Sequence, residues 1–160
     1  MASILLVSGP NLNLLGDREP EIYGRDTLED VVGDARAVAE AHEHSIDHIQ
    51  SNHEGEIVDA IQAARNRCSA IVINPGAFTH YSYAIADALA AFDGPKIELH
   101  LSNLSAREAW RRTSVVAPVV TGTVAGFGRH ALPAGVRTEP VSLIDVLPTL
   151  ASVAGLPEPP

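Results

Sequence analysis

Residues 70–92 read AIVINPGAFTHYSYAIADALAAF. The first five are apolar and largely β-branched up to Asn74, the kind of short run that forms a buried strand. Asn74-Pro75-Gly76 is a turn signal. From Tyr81 the spacing changes: Ala84, Ile85, Ala88 and Leu89 recur at helical intervals, which predicts a helix over about 81–92. Strand, turn and helix in that order make one βα unit. What matters for the fold is whether the unit repeats.

It repeats in both directions. Upstream, residues 3–8 (SILLVS) predict a strand, and residues 27–43 a helix capped by Thr27 that buries Leu28, Val31, Val32, Ala35, Val38 and Ala39. A second strand is expected over 45–50, then a helix over 54–67 burying Ile57, Val58, Ile61 and Ala64. Downstream, KIELHL at 96–101 predicts the fourth strand, and Ser105-Ala106-Arg107-Glu108 reads as a capping box that opens a short helix. The fifth strand is expected over 119–124, closed by Gly126 and Gly128. This alternation predicts an α/β protein: a flavodoxin-like, doubly wound, five-stranded parallel sheet in three α/β/α layers. Residues 1–128 read as a single catalytic domain. Residues 129–160 carry Pro133, Pro140, Pro148, Pro157, Pro159 and Pro160 and predict a divergent, partly disordered tail.

One connection is far longer than the rest. Residues 9–24, GPNLNLLGDREPEIYG, exceed the usual connection of about 4–6 residues several-fold. Three Leu, an Ile and a Tyr, punctuated by Gly9, Gly16 and Gly24, are not a disordered composition. The stretch reads as an ordered, functional loop.

The whole chain narrows the choice of partner. Twenty acidic against 11 basic residues give a net charge of -9 over 160 residues, which argues against nucleic acid but leaves room for a small anion held by a few Arg. No apolar run reaches the roughly 18–20 residues of a membrane span, and the N-terminal apolar run is short and lacks a basic region before it. The single cysteine, Cys68, allows no intrachain disulfide. Together these predict a cytoplasmic protein with no nucleic-acid or membrane partner. Lys96 is the sole lysine and stands at a strand start, a poor place for a Schiff base.

In open α/β sheets, ligands bind beyond the carboxyl ends of the strands. After the first strand come Asn11, Asn13, Arg18 and Tyr23, and after the second Ser51, Asn52 and His53. Asn74, Gly76, Thr79 and His80 follow the third; His100, Ser102 and Asn103 follow the fourth, with Arg107, Arg111 and Arg112 beyond. There is no P-loop, GxSxG elbow or GxGxxG, and no acidic cluster of the kind that holds Mg²⁺. What remains is a Tyr near an Arg, two His, several amides and a set of Arg. A guanidinium beside a phenol favours the phenolate, and a glycine-hinged lid can supply the dry site this needs. His100 can serve as a general acid. The reading is acid–base chemistry on a small polar anion, with no metal and no cofactor.

Each residue alone has a plainer account. Tyr23 could be a loop anchor and Arg18 a solvated surface residue. Glu98 and His100, two apart on one strand, could be a structural pair. Arg107 and Arg111 could be a charged face with Glu108. His42, His44 and His48 straddle a helix-to-strand transition, which spoils the fixed geometry of a zinc site. His53 is expected to cap or orient the turn into the second helix.

The motifs GPNLNLLGDREPEIYG, QSNHEGEIVDAI, INPGAFTHYS and ELHLSN…AREAWR, in this order and spacing, resemble those of type II 3-dehydroquinate dehydratases over about residues 4–128. The resemblance implies cofactor-free dehydration of 3-dehydroquinate to 3-dehydroshikimate, by anti elimination through an enolate. It implies Tyr23 as base, Arg18 as the lid arginine that keeps it ionised, and Asn11 as holder of a water on the enolate oxygen. His100 would be the acid, with Glu98 and Asn74 in support. Asn74, His80, Leu101, Ser102 and Arg111 would grip the substrate, and Asp87 would reach a neighbouring subunit's site in trimers that pack into a homo-dodecamer. Two departures stand out. Phe78 replaces a usual Tyr, and the usual final helix pattern is missing after Gly128, which bears on assembly rather than on chemistry.

Three rivals remain to be weighed. Another acid–base lyase or isomerase on the same scaffold would differ in its substrate. A signalling receiver would need acidic residues after the first strand, Asp ending the third and Lys ending the fifth; Gly9-Pro10-Asn11, Asn74 and a lysine-free stretch exclude it. A catalytically dead assembly subunit is opposed by the intact Arg18, Tyr23, Asn74 and His100.

Overall fold

The computed structural model describes residues 2–18 and 25–128. Tyr23 and the proline-rich stretch 129–160 lie outside the described residues. Five strands form one parallel sheet: β1 (Ser3–Ser8), β2 (Ser45–Gln50), β3 (Ala70–Asn74), β4 (Lys96–His100) and β5 (Gly122–Ala125). Their spatial order is β2-β1-β3-β4-β5, the flavodoxin-like arrangement expected from the sequence. The chain winds one way from β1 to β2 and the other way from β3 onward, so the topological switch point lies between the ends of β1 and β3.

Burial follows position in the sheet. β3 is buried at every residue and β1 at all but its first, as strands covered on both faces must be. α1 (Leu28–Ala41) covers one face, packing Val31, Val32, Ala35 and Ala39 against Ile4, Leu6, Val72 and Leu99. α2 (Glu54–Ala64) and α3 (Tyr83–Ala90) cover the other, where Ile57, Ile61, Ile85 and Leu89 meet Leu5, Val7, Ile71 and Ile73. Thr27 caps α1 through a full capping box: its hydroxyl accepts the Asp30 N–H and the Asp30 carboxylate accepts the Thr27 N–H. Among the described residues, no helix is long and apolar enough to cross a membrane.

Three sequence expectations shift. The helix expected from Ser105 is two 3₁₀ turns, Leu104–Ala106 and Ala109–Arg112. Asn103, not Ser105, is the cap: its Oδ1 accepts the Ser105 N–H at 3.1 Å, while Glu108 turns its carboxylate to Arg111 at 2.8 Å rather than back along the chain. β5 begins at Gly122 rather than 119, because Pro118 has no N–H for a ladder and sits in a 3₁₀ turn, Ala117–Val119. α3 begins at Tyr83, capped by the Ser82 hydroxyl, after a separate 3₁₀ turn over Gly76–His80.

Candidate active site

The loops at the switch point interlock before any side chain is considered. The Gly9 N–H donates to the Asn74 carbonyl at 2.8 Å. A Cβ at Gly9 would stand 2.5 Å from the Pro75 oxygen, so only glycine allows the approach. Gly76, at φ +56, returns the contact against the Pro10 carbonyl. A cleft opens above this junction, lined on one side by Asn11, Leu12, Leu14, Leu15 and Arg18 and on the other by Asn74, His80, His100, Leu101, Ser102 and Arg111.

The β1 loop is held in two ways. Leu12 and Leu15 are buried in the core beneath it. Amides from the β2 side then fix its backbone: Asn52 Oδ1 accepts the Asn11 N–H at 2.9 Å, and Gln50 Nε2 donates to the Gly9 carbonyl at 3.3 Å. Asn11 itself is left-handed, at φ 65, a conformation asparagine tolerates. Ser51, Asn52 and His53 therefore support the cleft from behind rather than line it. The His53 side chain makes no cap bond; the His53 backbone N–H donates to the buried Ser51 hydroxyl instead.

Across the cleft, Asn74 uses Oδ1 to accept the Gly76 N–H at 3.2 Å, leaving its Nδ2 hydrogens for a ligand. His80 Nδ1 lies 2.7 Å from the Thr113 carbonyl, an acceptor only. That nitrogen must carry the hydrogen, so neutral His80 offers Nε2 as an acceptor, suited to a substrate hydroxyl. The Trp110 ring meets His80 edge-on at 5.0 Å and stacks under the Arg111 guanidinium at 4.1 Å. Arg111 also bonds to Glu108.

The deepest layer is Glu98, wholly buried, and His100, 4% exposed. His100 Nε2 lies 2.8 Å from Glu98 Oε1. The same carboxyl receives the hydroxyls of Thr79 and Ser114, and Thr123 approaches at 3.4 Å. Burial would push the Glu98 carboxyl up, but these donors and the His100 charge hold it below the usual carboxylate range. An ionised Glu98 fixes the His100 ring through this bond, which is what a proton donor needs.

Of the residues expected to act, Asn11, Arg18, Asn74, His80, His100, Leu101, Ser102 and Arg111 share the cleft, with Glu98 directly behind His100. Asp87 does not; it is exposed on α3. Among the described residues no group of three His, Cys, Asp or Glu could hold a metal ion, and His48 instead bonds to the Ser8 hydroxyl at 3.1 Å. Lys96 donates to the Phe92 carbonyl at the far end of β4. Ser114 and Trp110 were not among the expected site residues. Trp110 lies within the AREAWR motif, whereas nothing local marks Ser114, which acts through contacts far away in the chain.

The chain matches the family model described as dehydroquinase class II over residues 2–138. It is 55% identical over 128 residues to a 3-dehydroquinate dehydratase of Halalkalibacterium halodurans, covering 80% of this chain and 88% of that protein. A catabolic 3-dehydroquinase of Penicillium rubens is 52% identical over 135 residues, covering 84% and 87% respectively. The solved structure of a type II dehydroquinase from Propionibacterium acnes superposes with a TM-score of 0.82 at 39% identity, covering 85% of this chain and 94% of that one.

Proposed function

The chain belongs to the class II dehydroquinase family, and from that premise we propose that it dehydrates 3-dehydroquinate to 3-dehydroshikimate without a cofactor. The observation that carries this reading is the buried Glu98–His100 pair, whose histidine lines one side of the cleft that Asn11 and Arg18 line from the other. An acid on one wall leaves the other side of the substrate open to a base, as an anti elimination requires. Tyr23, kept ionised by Arg18, removes the C2 proton, and the electron pair moves onto the C3 carbonyl oxygen as an enolate. A water held by Asn11 stabilises that oxygen. The enolate then collapses, the C1–C2 double bond forms, and the C1 hydroxyl departs as water with a proton from His100.

Asn74, His80, Leu101, Ser102 and Arg111 grip the hydroxyls and carboxylate of the substrate. The free Nε2 of His80 and the free Nδ2 of Asn74 support that role, as an acceptor and a donor. Asp87, exposed on α3, reaches the site of a neighbouring subunit in trimers that assemble into a dodecamer. Similar proteins bear both names, 3-dehydroquinate dehydratase and catabolic 3-dehydroquinase, and the same reaction serves the shikimate pathway and quinate breakdown.

Product formation is visible in the near ultraviolet, because the product is a conjugated enone and the substrate is not. Absorbance should grow with the wild type, and Tyr23→Phe should slow it by at least about a hundredfold. No growth with folded wild type overturns the activity; equal growth in both proteins overturns the base.

A further inference from the structure

We propose that the hydroxyls of Thr79 and Ser114 are positioning groups for the acid. They keep Glu98 a carboxylate that accepts the Nε2–H of His100, so that Nδ1 is the nitrogen that takes up a proton from solvent and delivers it to the departing hydroxyl. The inference rests on reading His100 as the acid, and deepens it by naming what sets its tautomer.

The argument is a count of hydrogens around a buried carboxyl. Glu98 is wholly buried, where an unsupported negative charge is costly. Ser114 Oγ accepts the Val116 and Ala117 N–H groups at 3.1 and 2.8 Å. Both of its lone pairs are then taken, and its own hydrogen is left for Glu98, at 3.0 and 3.1 Å from the two oxygens. Thr79 Oγ1 lies 2.9 Å from Ser114 Oγ but finds no lone pair there, so its hydrogen also goes to Glu98 Oε1. Both hydroxyls arrive as donors, and the lowered proton affinity of Glu98 agrees.

A protonated Glu98 would have to give its hydrogen away. The imidazole acceptor within reach is Nε2 of His100, 2.8 Å from Oε1. With a proton taken up by Glu98 from solvent, the ring would keep its one hydrogen on Nδ1, and its basic nitrogen would face Glu98 rather than the cleft. The hydroxyls oppose it by satisfying the charged form. They are held firmly: Thr79 is wholly buried, and its carbonyl accepts the Val115 N–H at 2.8 Å. The strand of chain carrying Ser114 follows Arg111 and takes the His80 hydrogen bond at Thr113, so acid and substrate-gripping residues are fixed by one strut.

The test is the double variant Thr79→Val with Ser114→Ala, which removes both hydroxyls at little change in shape. Infrared spectroscopy should show a new carboxylic-acid carbonyl band that disappears when Glu98→Gln is added. The ¹⁵N shifts of His100 should pass from the Nε2–H to the Nδ1–H pattern. Turnover should fall roughly 10- to 100-fold with KM within about twofold, while Thr79→Ser should keep all three wild-type readings. Ser114→Ala alone gives the same band more weakly and serves if the double variant unfolds. An ionised Glu98 and an unchanged His100 pattern in the double variant overturn the proposal. The spectroscopic readings do not need turnover, so an inactive wild type would count against the function and leave this inference to its own result.

Discussion

On the β1 side of the cleft Asn11 and Arg18 are exposed, whereas on the β4 side Glu98 and His100 are buried. The first wall is held through its backbone, by Asn52, Gln50 and the Gly9–Pro75 contact, with Leu12 and Leu15 buried beneath it. The second is held through its side chains, with the carboxyl of Glu98 saturated by donors before any substrate arrives. The difference teaches how one small domain can separate two duties. The buried pair has a fixed, dry setting whose dipoles need not reorganise, while the wall of Asn11 and Arg18 stands open to solvent.

The largest effect should come from breaking the buried wall. His100→Ala is expected to lower turnover by about 10²–10⁴. It should also destabilise the protein by about 1.5–3 kcal/mol, since the buried Glu98 carboxylate loses one of its hydrogen-bond donors. The matching change on the exposed wall is Asn11→Gly, which keeps the left-handed backbone and deletes the amide. It should slow turnover about tenfold, roughly one lost hydrogen bond, and shift stability by no more than about 0.5 kcal/mol. Turnover and urea midpoints measured together decide the matter. If Asn11→Gly is as destabilising as His100→Ala, the two walls are not built differently.

Next in size is the junction between the walls. Gly9→Ala drives a Cβ to within 2.5 Å of the Pro75 oxygen, which backbone must yield to accommodate. A loss of about 1–3 kcal/mol is expected, with a raised KM as the loops part. Gly33→Ala is the control: nothing lies within 4 Å of its Cβ and it sits inside α1. It should stabilise the protein by about 0.5–1 kcal/mol. Equal effects of opposite purpose cannot both come from glycine composition alone, so the pair isolates the contact.

The two walls also differ in how far they could be read from the sequence. β1, β2 and β3 fall on the expected residues because their apolar runs are local and end at Gly, Asn or polar turns. The gathering of Asn11, Arg18, Asn74 and His100 at one sheet edge follows from topology, since parallel strands all end on the same side. The region after β4 was misjudged: a capping-box pattern at Ser105–Glu108 is a local signal, and the pairing of Glu108 with Arg111 overrides it. Two of the donors to Glu98, Ser114 and Thr123, were beyond reach. Thr123 meets Glu98 only through the register of β5 on β4, and Ser114 only through a turn whose path depends on Thr79 and Thr113.

A smaller effect probes the support of the exposed wall. Asn52→Ala removes the acceptor of the Asn11 N–H and a partner of Gln50. These bonds are exposed and water can replace them, so the expected loss is only about 0.5–1.5 kcal/mol. Turnover should suffer more than stability if the bond's role is to hold Asn11 in place.

The smallest effect separates the walls by pH. His48 of β2 bonds to Ser8 at the end of β1, beneath the exposed wall. Burial lowers its pKa from 6.5, helped by the positive charge of Arg36 and opposed by Asp47. The unfolded chain therefore takes up this proton first, and the contribution of neutral His48 is lost as pH falls from 6.5 towards the native value. Glu98 behaves in the other order. Burial raises its pKa, but the His100, Thr79 and Ser114 bonds bring the net value below 4.5, so its contribution persists down to about 4.5 and is lost only as pH falls through the lower native pKa. Urea midpoints taken from neutral pH down to about pH 2 should fall in two stages, the β2 side before the β4 side. His48→Gln should remove the first stage and leave the second. A first stage that survives that substitution would assign the early loss to another group and erase the pH distinction between the walls.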